Sequence, residues 1–249
     1  MKVDLSKEKD KISSMFDSIA PKYDLLNHTL SMNFDRIWRR KLIKVVLKGG
    51  PKLVLDLACG TGDVSFGLAT KAKDKDKDKC KKLKVIGGDL SREMLKIAFQ
   101  KKEKLVSKQK ISPDSIDFQY CEADQLPFED NSFDAITISF GIRNFEQREK
   151  CIQELYRVLR KGGQLAIIEF STPKNIIWKA VYTTYFKHIL PFIGRIVSGT
   201  KTPYSYLPAS AMDFPQREVF CKEFSDAGFS EAKYQSLTGG VACLYTAIK

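Results

Sequence analysis

The chain has 249 residues, 43% of them apolar, and a formal net charge of +12, which fits one large α/β domain with a sizeable core and excludes disorder as the default. No apolar run reaches the about 18–20 residues of a membrane-spanning helix, and the charged start Met1–Asp10 lacks the apolar centre of a secretory signal, so a cytoplasmic protein is expected. Six cysteines without a CxxC pair and only two histidines exclude a zinc framework; no metal is expected, and Cys59, Cys121, Cys151 and Cys243 read as reduced core residues. The positive charge favours an anionic partner. Part of it lies in the sign-alternating run Lys71–Lys82, which reads as a solvated loop insertion.

Residues 1–48 are helical in character and precede the first strand, Leu53–Ala58. The turn Cys59–Asp63 then leads into a helix. A second strand, Lys84–Asp89, is followed by Ser91 as an N-cap and by Met94, Leu95, Ala98 and Phe99 at helical spacing. Ile116–Cys121 and Phe133–Ser139 are the third and fourth strands. Ile152, Leu155, Val158 and Leu159 form one face of a helix predicted to stop at Gly162–Gly163, ahead of a fifth strand, Gln164–Phe170. Glu231–Ser236 and Val241–Ile248 flank the turn Thr238–Gly240 as a closing hairpin. The alternation predicts a Rossmann-like α/β fold with a mostly parallel, doubly wound sheet ending in an antiparallel hairpin. It is a single domain over 1–249: an N-terminal helical cap (1–48), a sheet core (50–171 and 226–249) and a helical lid insertion (173–225). Cap and lid should lie over the carboxyl edge of the sheet, where ligands bind in such folds.

The sharpest local signal is Asp56-Leu-Ala-Cys-Gly60-Thr-Gly62-Asp63 directly after a strand. Gly60 and Gly62 permit a tight turn and close approach to a ligand. The third glycine of a dinucleotide fingerprint is replaced by Ser65. Asp56 suits a sulfonium and an amino group and would repel a pyrophosphate, so S-adenosylmethionine (SAM) is the expected cofactor. Asp89 is placed for both ribose hydroxyls, its long separation from Gly60 being absorbed by the insertion. Glu122 leaves the third strand towards the adenine edge, and Ser139 closes the fourth.

Four stretches carry a more specific likeness. They are Met15–Ser31 with Trp38, Ile138-Ser-Phe-Gly-Ile-Arg143-Asn144, Arg157–Gly163 leading to Glu169-Phe-Ser171, and Leu237–Gly240. In these the chain resembles, from about Met15 to its end, the class I SAM-dependent C-methyltransferases of quinone biosynthesis that act on demethylmenaquinol and on the ubiquinone precursor. The resemblance implies SAM contacts at Thr61, Asp89, Glu122, Ala123 and Ser139. Glu122 stands where Asp or Asn is common. Asp35 replaces a frequent histidine, which points towards the menaquinone substrate.

The implied reaction is C-methylation of a polyprenylated demethylmenaquinol to menaquinol, with the ubiquinone-pathway methoxy-benzoquinol as a further acceptor. An aromatic carbon becomes nucleophilic when a neighbouring hydroxyl ionises, and a free phenol has a pKa near ~10, so a stabilising cation is needed. Arg143 is the candidate cation, and Asn144 a hydrogen-bond partner for a quinol oxygen. Tyr23, Asp24, His28 and His188 are candidate bases. Trp178, Tyr182, Tyr185, Phe186, Phe192, Tyr204 and Tyr206 are expected to line the entrance for an isoprenoid tail. The expected partner is an anionic membrane surface on the inner face, met peripherally and without nucleic acid; monomer and homodimer both stay open. The rivals are a methyltransferase acting on RNA or another small molecule, and a catalytically silent quinone-binding subunit.

Overall fold

The computed structural model describes residues 5–75, 83–185 and 202–249. The centre of the Lys/Asp insertion lies outside them, as do Phe186, His188 and Phe192 and the side chain of Tyr204. Seven strands form one sheet in the order β3-β2-β1-β4-β5-β7-β6. They are β1 Leu53–Leu57, β2 Lys84–Asp89, β3 Ile116–Tyr120, β4 Phe133–Ser139, β5 Leu159–Phe170, β6 Ser230–Leu237 and β7 Ala242–Ile248. The first five pair in parallel and the last two run antiparallel, closing the sheet with the predicted hairpin.

The central strands are apolar without alternation because both of their faces are covered. Val54, Val85, Ala135 and Ile168 pack beneath α3 (Phe34–Lys48), α4 (Asp63–Lys75) and α5 (Arg92–Ser107). Leu55, Leu57, Ile136, Ile138 and Ile167 meet α6 (Arg148–Val158) and α9 (Glu218–Asp226) on the other face. The Ser91 hydroxyl accepts the Met94 N–H at 3.1 Å, capping α5 as its sequence indicates. Five cysteines are free thiols among the described residues, four of them buried.

Two expectations need correction. Residues 1–48 are not uniformly a cap. Helices α1 (Lys9–Ile19) and α2 (Tyr23–Leu30) lie over the strand ends, but α3 buries Trp38, Leu42, Ile43 and Val46 against a face of the sheet. Trp38 Nε1 also donates to Thr238 Oγ1 at 2.8 Å, tying α3 to the β6–β7 turn. Secondly, α6 ends at Val158, and Gly162–Gly163 lie inside β5. There the register against β4 shifts between Phe133 and Ala135, Gly162 takes φ +76°, and a Cβ on Gly163 would sit 2.7 Å from the Arg160 carbonyl oxygen. The double glycine permits an irregular strand and does not terminate the helix.

Asp56 ties three elements together. Its carboxylate, on the α4 side of β1, accepts from Thr137 Oγ1 of β4 at 2.8 Å and from Ser65 Oγ of α4 at 2.6 Å. Burial pushes its pKa from 3.8 up to about 6, against the opposing pull of those hydroxyls. The folded state therefore binds a proton that the unfolded chain releases near pH 4, and stability falls as pH rises through this window. Relative to Asp56→Asn, the wild type should lose about 2–3 kcal/mol of unfolding free energy between pH 4 and 6, measured by urea titration at each pH. A difference between the two proteins that does not change with pH would contradict this account.

Candidate active site

The sheet order reverses between β1 and β4, whose parallel carboxyl ends open a crevice. Ala58 and Phe140, just beyond those strands, adopt left-handed backbone with φ +53° and +61°. A Cβ on Gly141 would lie 2.5 Å from the Ala58 Cβ, so the two loops touch only because glycine stands there. The crevice holds a cavity bounded by the ends of the first four strands at Leu57, Asp89, Cys121 and Ser139, and walled by Ile12 and Phe16 of α1.

Most predicted cofactor residues gather here, with different duties. Gly60, Asp89, Glu122, Ala123 and Ser139 line this cavity. Asp89 accepts the Gly60 N–H at 2.7 Å and the Ser91 N–H at 2.8 Å. Burial raises its pKa while these backbone donors oppose the shift. Glu122 pairs with Lys9 at 2.5 Å and accepts from the Tyr120 hydroxyl at 3.0 Å, contacts that hold its carboxyl below the ordinary range.

Asp56 and Thr61 instead line a small adjoining recess that shares Tyr23, Ala58, Gly60 and Ser139 with the larger cavity. Both Asp56 oxygens are taken up by Thr137 and Ser65, so its carboxylate serves the fold where a direct partner for the sulfonium was expected. The Thr61 hydroxyl donates to Asp24 at 2.5 Å and accepts from Lys101 at 2.8 Å. Gly62 also departs from expectation. It borders neither space, and its missing Cβ makes room for Phe66, whose ring would stand 2.7 Å away.

A second, largely apolar cavity of about 260 Å³ meets the first at Phe16, Tyr23 and Phe140. Leu26, Leu30, Trp178, Val181, Tyr182 and Tyr206 contribute to its walls, in line with the predicted aromatic entrance. Arg143 lies in this wall. Its Nη1 donates to Glu169 Oε1 at 2.9 Å and to the Phe140 carbonyl, and its guanidinium carbon stands 5.6 Å from the Phe170 ring centroid. The buried Nε has no hydrogen-bond partner among the described residues.

Tyr23 borders both cavities and the recess, and burial raises its pKa. Asn144 lines the cofactor side and accepts from the Tyr206 hydroxyl at 3.1 Å, one wall away from the quinol position expected for it. Among the other base candidates, Asp24 is paired with Lys101 at 2.5 Å and His28 Nδ1 with Asp35 at 2.8 Å. Neither lines the apolar cavity, and His188 lies outside the described residues.

Lys9, Phe16 and Glu169 complete the site without having been singled out from the sequence for these roles. Glu169 carried a signal, since a carboxylate in the run Leu165-Ala-Ile-Ile-Glu-Phe170 requires a buried partner. The cavity at the strand ends suits SAM in kind. A carboxylate ends β2 where ribose hydroxyls need an acceptor, apolar Leu90, Met94 and Phe16 offer contact for a base, and Gly60 admits a ligand close to the turn.

A family model described as the ubiE/COQ5 methyltransferase family matches residues 3–249. A demethylmenaquinone methyltransferase of Bacteroides fragilis is 41% identical over 246 residues, covering 98% of this chain and 94% of the relative. One from Thermus thermophilus is 42% identical over 233 residues, covering 93% and 98%. The ubiquinone/menaquinone biosynthesis C-methyltransferase UbiE of Geotalea daltonii is 38% identical over 249 residues, covering 98% and 99%. A solved SAM-dependent methyltransferase from Thermotoga maritima shares the fold with TM-score 0.60 at 19% identity, covering 95% of this chain and 99% of that one. One from Aquifex aeolicus does so with TM-score 0.53 at 20% identity, covering 79% and 81%. On the strength of this full-length match, and with a strand-end cavity that suits SAM, the chain belongs to the ubiE/COQ5 methyltransferase family and is a SAM-dependent methyltransferase.

Proposed function

We propose that this enzyme methylates a ring carbon of a polyprenylated demethylmenaquinol, giving menaquinol. The observation that carries the reading is Arg143, a buried cation in the wall of an apolar cavity that abuts the cofactor cavity, its Nε–H without a partner among the described residues. Two relatives at 41–42% identity bear the name demethylmenaquinone methyltransferase, which favours this acceptor over the ubiquinone precursor.

SAM, when bound, supplies a methyl group on a sulfonium that leaves as a neutral thioether. Asp89, Glu122 and Ser139 are the side chains that would hold it, with Gly60 at the turn. The protein's remaining tasks are to favour the acceptor's phenolate, align it and exclude water. Arg143, held by Glu169, stabilises negative charge on the acceptor oxygen inside an apolar wall where water competes little. Tyr23, at the junction, has its pKa raised by burial and stays a hydrogen-bond donor at neutral pH. The apolar walls take the first part of the isoprenoid tail.

A polyprenylated acceptor resides in a bilayer, so the enzyme must reach a membrane surface. No described helix is long and apolar enough to cross one. Helix α7 (Ile176–Thr184) instead exposes Ile176, Ile177, Trp178 and Val181, with Lys174 and Lys179 beside them. Trp178 and Val181 also line the apolar cavity, as does exposed Met32 from the neighbouring cap. An apolar rim flanked by lysines fits the interface of an anionic bilayer.

Transfer of labelled methyl from SAM to a short-tail demethylmenaquinol tests the reaction; transfer to RNA alone, or none at all, would overturn it. Arg143→Ala should lower turnover by roughly 10²–10³-fold, as loss of one oxyanion donor does, with SAM affinity nearly intact. A second measurement addresses the membrane. The protein should cosediment with anionic vesicles at low salt and detach at high salt, with a blue shift from exposed Trp178 while buried Trp38 stays constant. Protein that remains in the supernatant at low salt would rule out direct docking.

A further inference from the structure

The recess beside the cofactor cavity has one basic residue among its described lining residues, Arg39 of α3. It joins the cofactor cavity along Tyr23, Ala58, Gly60 and Ser139; Asp89 lines the cofactor cavity and not the recess, whereas Arg39 borders the recess and the apolar cavity but not the cofactor cavity. SAM has two chemically distinct ends, an adenosine and an α-amino acid. With the ribose at Asp89, the amino-acid end falls beyond the Gly60 turn, towards Arg39. This step rests on the assignment of SAM as cofactor.

The Arg39 guanidinium is buried, with 9% of the residue exposed, and it is held in one orientation. Its Nη1 bridges Asp35 Oδ2 at 2.7 Å and Asp63 Oδ2 at 2.8 Å. Its Nε makes only a long 3.4 Å contact to Ser139 Oγ, and Nη2 has no hydrogen bond among the described residues. The Nε–Nη2 edge, with one long bond on Nε, is therefore the less engaged edge of the fork, and such an edge matches the two oxygens of a carboxylate. Asp63 in the same lining suits the ammonium next to that carboxylate. His28 and Lys101 complete the charged groups around Asp63, at 3.7 and 3.3 Å. We propose that Arg39 binds the carboxylate of the amino-acid end of SAM through its Nε–Nη2 edge, with Asp35 and Asp63 serving to orient it.

Decarboxylated SAM keeps the adenosine, sulfonium, methyl and amine and lacks only the carboxylate, so calorimetry with both ligands isolates this contact. Wild type should bind SAM about 10- to 100-fold more tightly than the decarboxylated analogue, the range for a charge-assisted hydrogen bond. Arg39→Met should bring SAM down to the affinity of the analogue and leave the analogue's own affinity unchanged; Arg39→Lys should keep part of the difference. Equal weakening of both ligands in Arg39→Met would assign Arg39 to packing and overturn the proposal. Equal affinities in wild type would do so without any variant, which covers the case of a substituted protein that does not fold. A wild type that binds neither ligand would overturn the cofactor assignment itself, and this proposal with it.

Discussion

The loops leaving β1 and β4 meet at the contact between Ala58 and Gly141, and the rest of the site is arranged around that contact. Parallel strands whose order reverses at this point must send their connections to opposite faces, which leaves a crevice between them. Closing it to ligand dimensions requires two backbones to approach within side-chain distance, with residues on both sides in left-handed conformation. Such conformations cost of order 1 kcal/mol or more at non-glycine positions and persist where the surroundings over-determine them. Here the surroundings include Asp56, which braces β1 against β4 and α4 directly beneath the crevice. The carboxylate expected to meet the ligand holds up the floor on which the ligand rests.

The buried charges follow one design. Arg143 leans on Glu169, and Arg39 leans on Asp35 and Asp63. Buried ion pairs are poor sources of stability, because desolvating both partners offsets most of their attraction. What such a pair supplies is a cation of fixed orientation. Each of these arginines has one Nη engaged by carboxylate, while a further donor, Nε on Arg143 and Nη2 on Arg39, has no hydrogen bond among the described residues. The carboxylates spend their hydrogen-bonding capacity on fixing the cation, which is what the roles proposed for both arginines require.

Sheet, hairpin and strand-end carboxylates were legible in the sequence because burial on both faces writes continuous apolar strands, and a turn must follow each one. The ends of elements were less so. Gly162–Gly163 looks the same whether it stops a helix or bends a strand, and only pairing with β4 decides between them. Gly62 follows the same logic, since a glycine needed for a neighbouring ring resembles one needed for a ligand. Arg39 was hidden among Arg36, Arg40 and Lys41. Its one local clue was Asp35 four residues earlier, on the same face of a helix that otherwise turns Trp38, Leu42 and Val46 inward. That clue becomes decisive only when α3 is known to pack on the face of the sheet, which is a matter of tertiary packing.

The cap does more than cover the site. Phe16 and Tyr23, two of the three residues shared by both cavities, come from the cap, and the third, Phe140, comes from the loop after β4. The boundary between the two cavities is therefore complete only when the cap is seated. Its seating relies on polar contacts with the strand-end loops: Lys9 with Glu122 and Asp124, Asp17 with Ser91, and Asp24 with Thr61. Two of these anchors, Glu122 and Thr61, are also positions at which the family resemblance implies cofactor contact. The cap anchors and the cofactor contacts implied by the resemblance thus fall on the same side chains, Glu122 and Thr61. For the methyl transfer proposed above, which must exclude water, such a boundary would serve twice: aromatic rings between the two cavities would align the reactants and keep solvent from them.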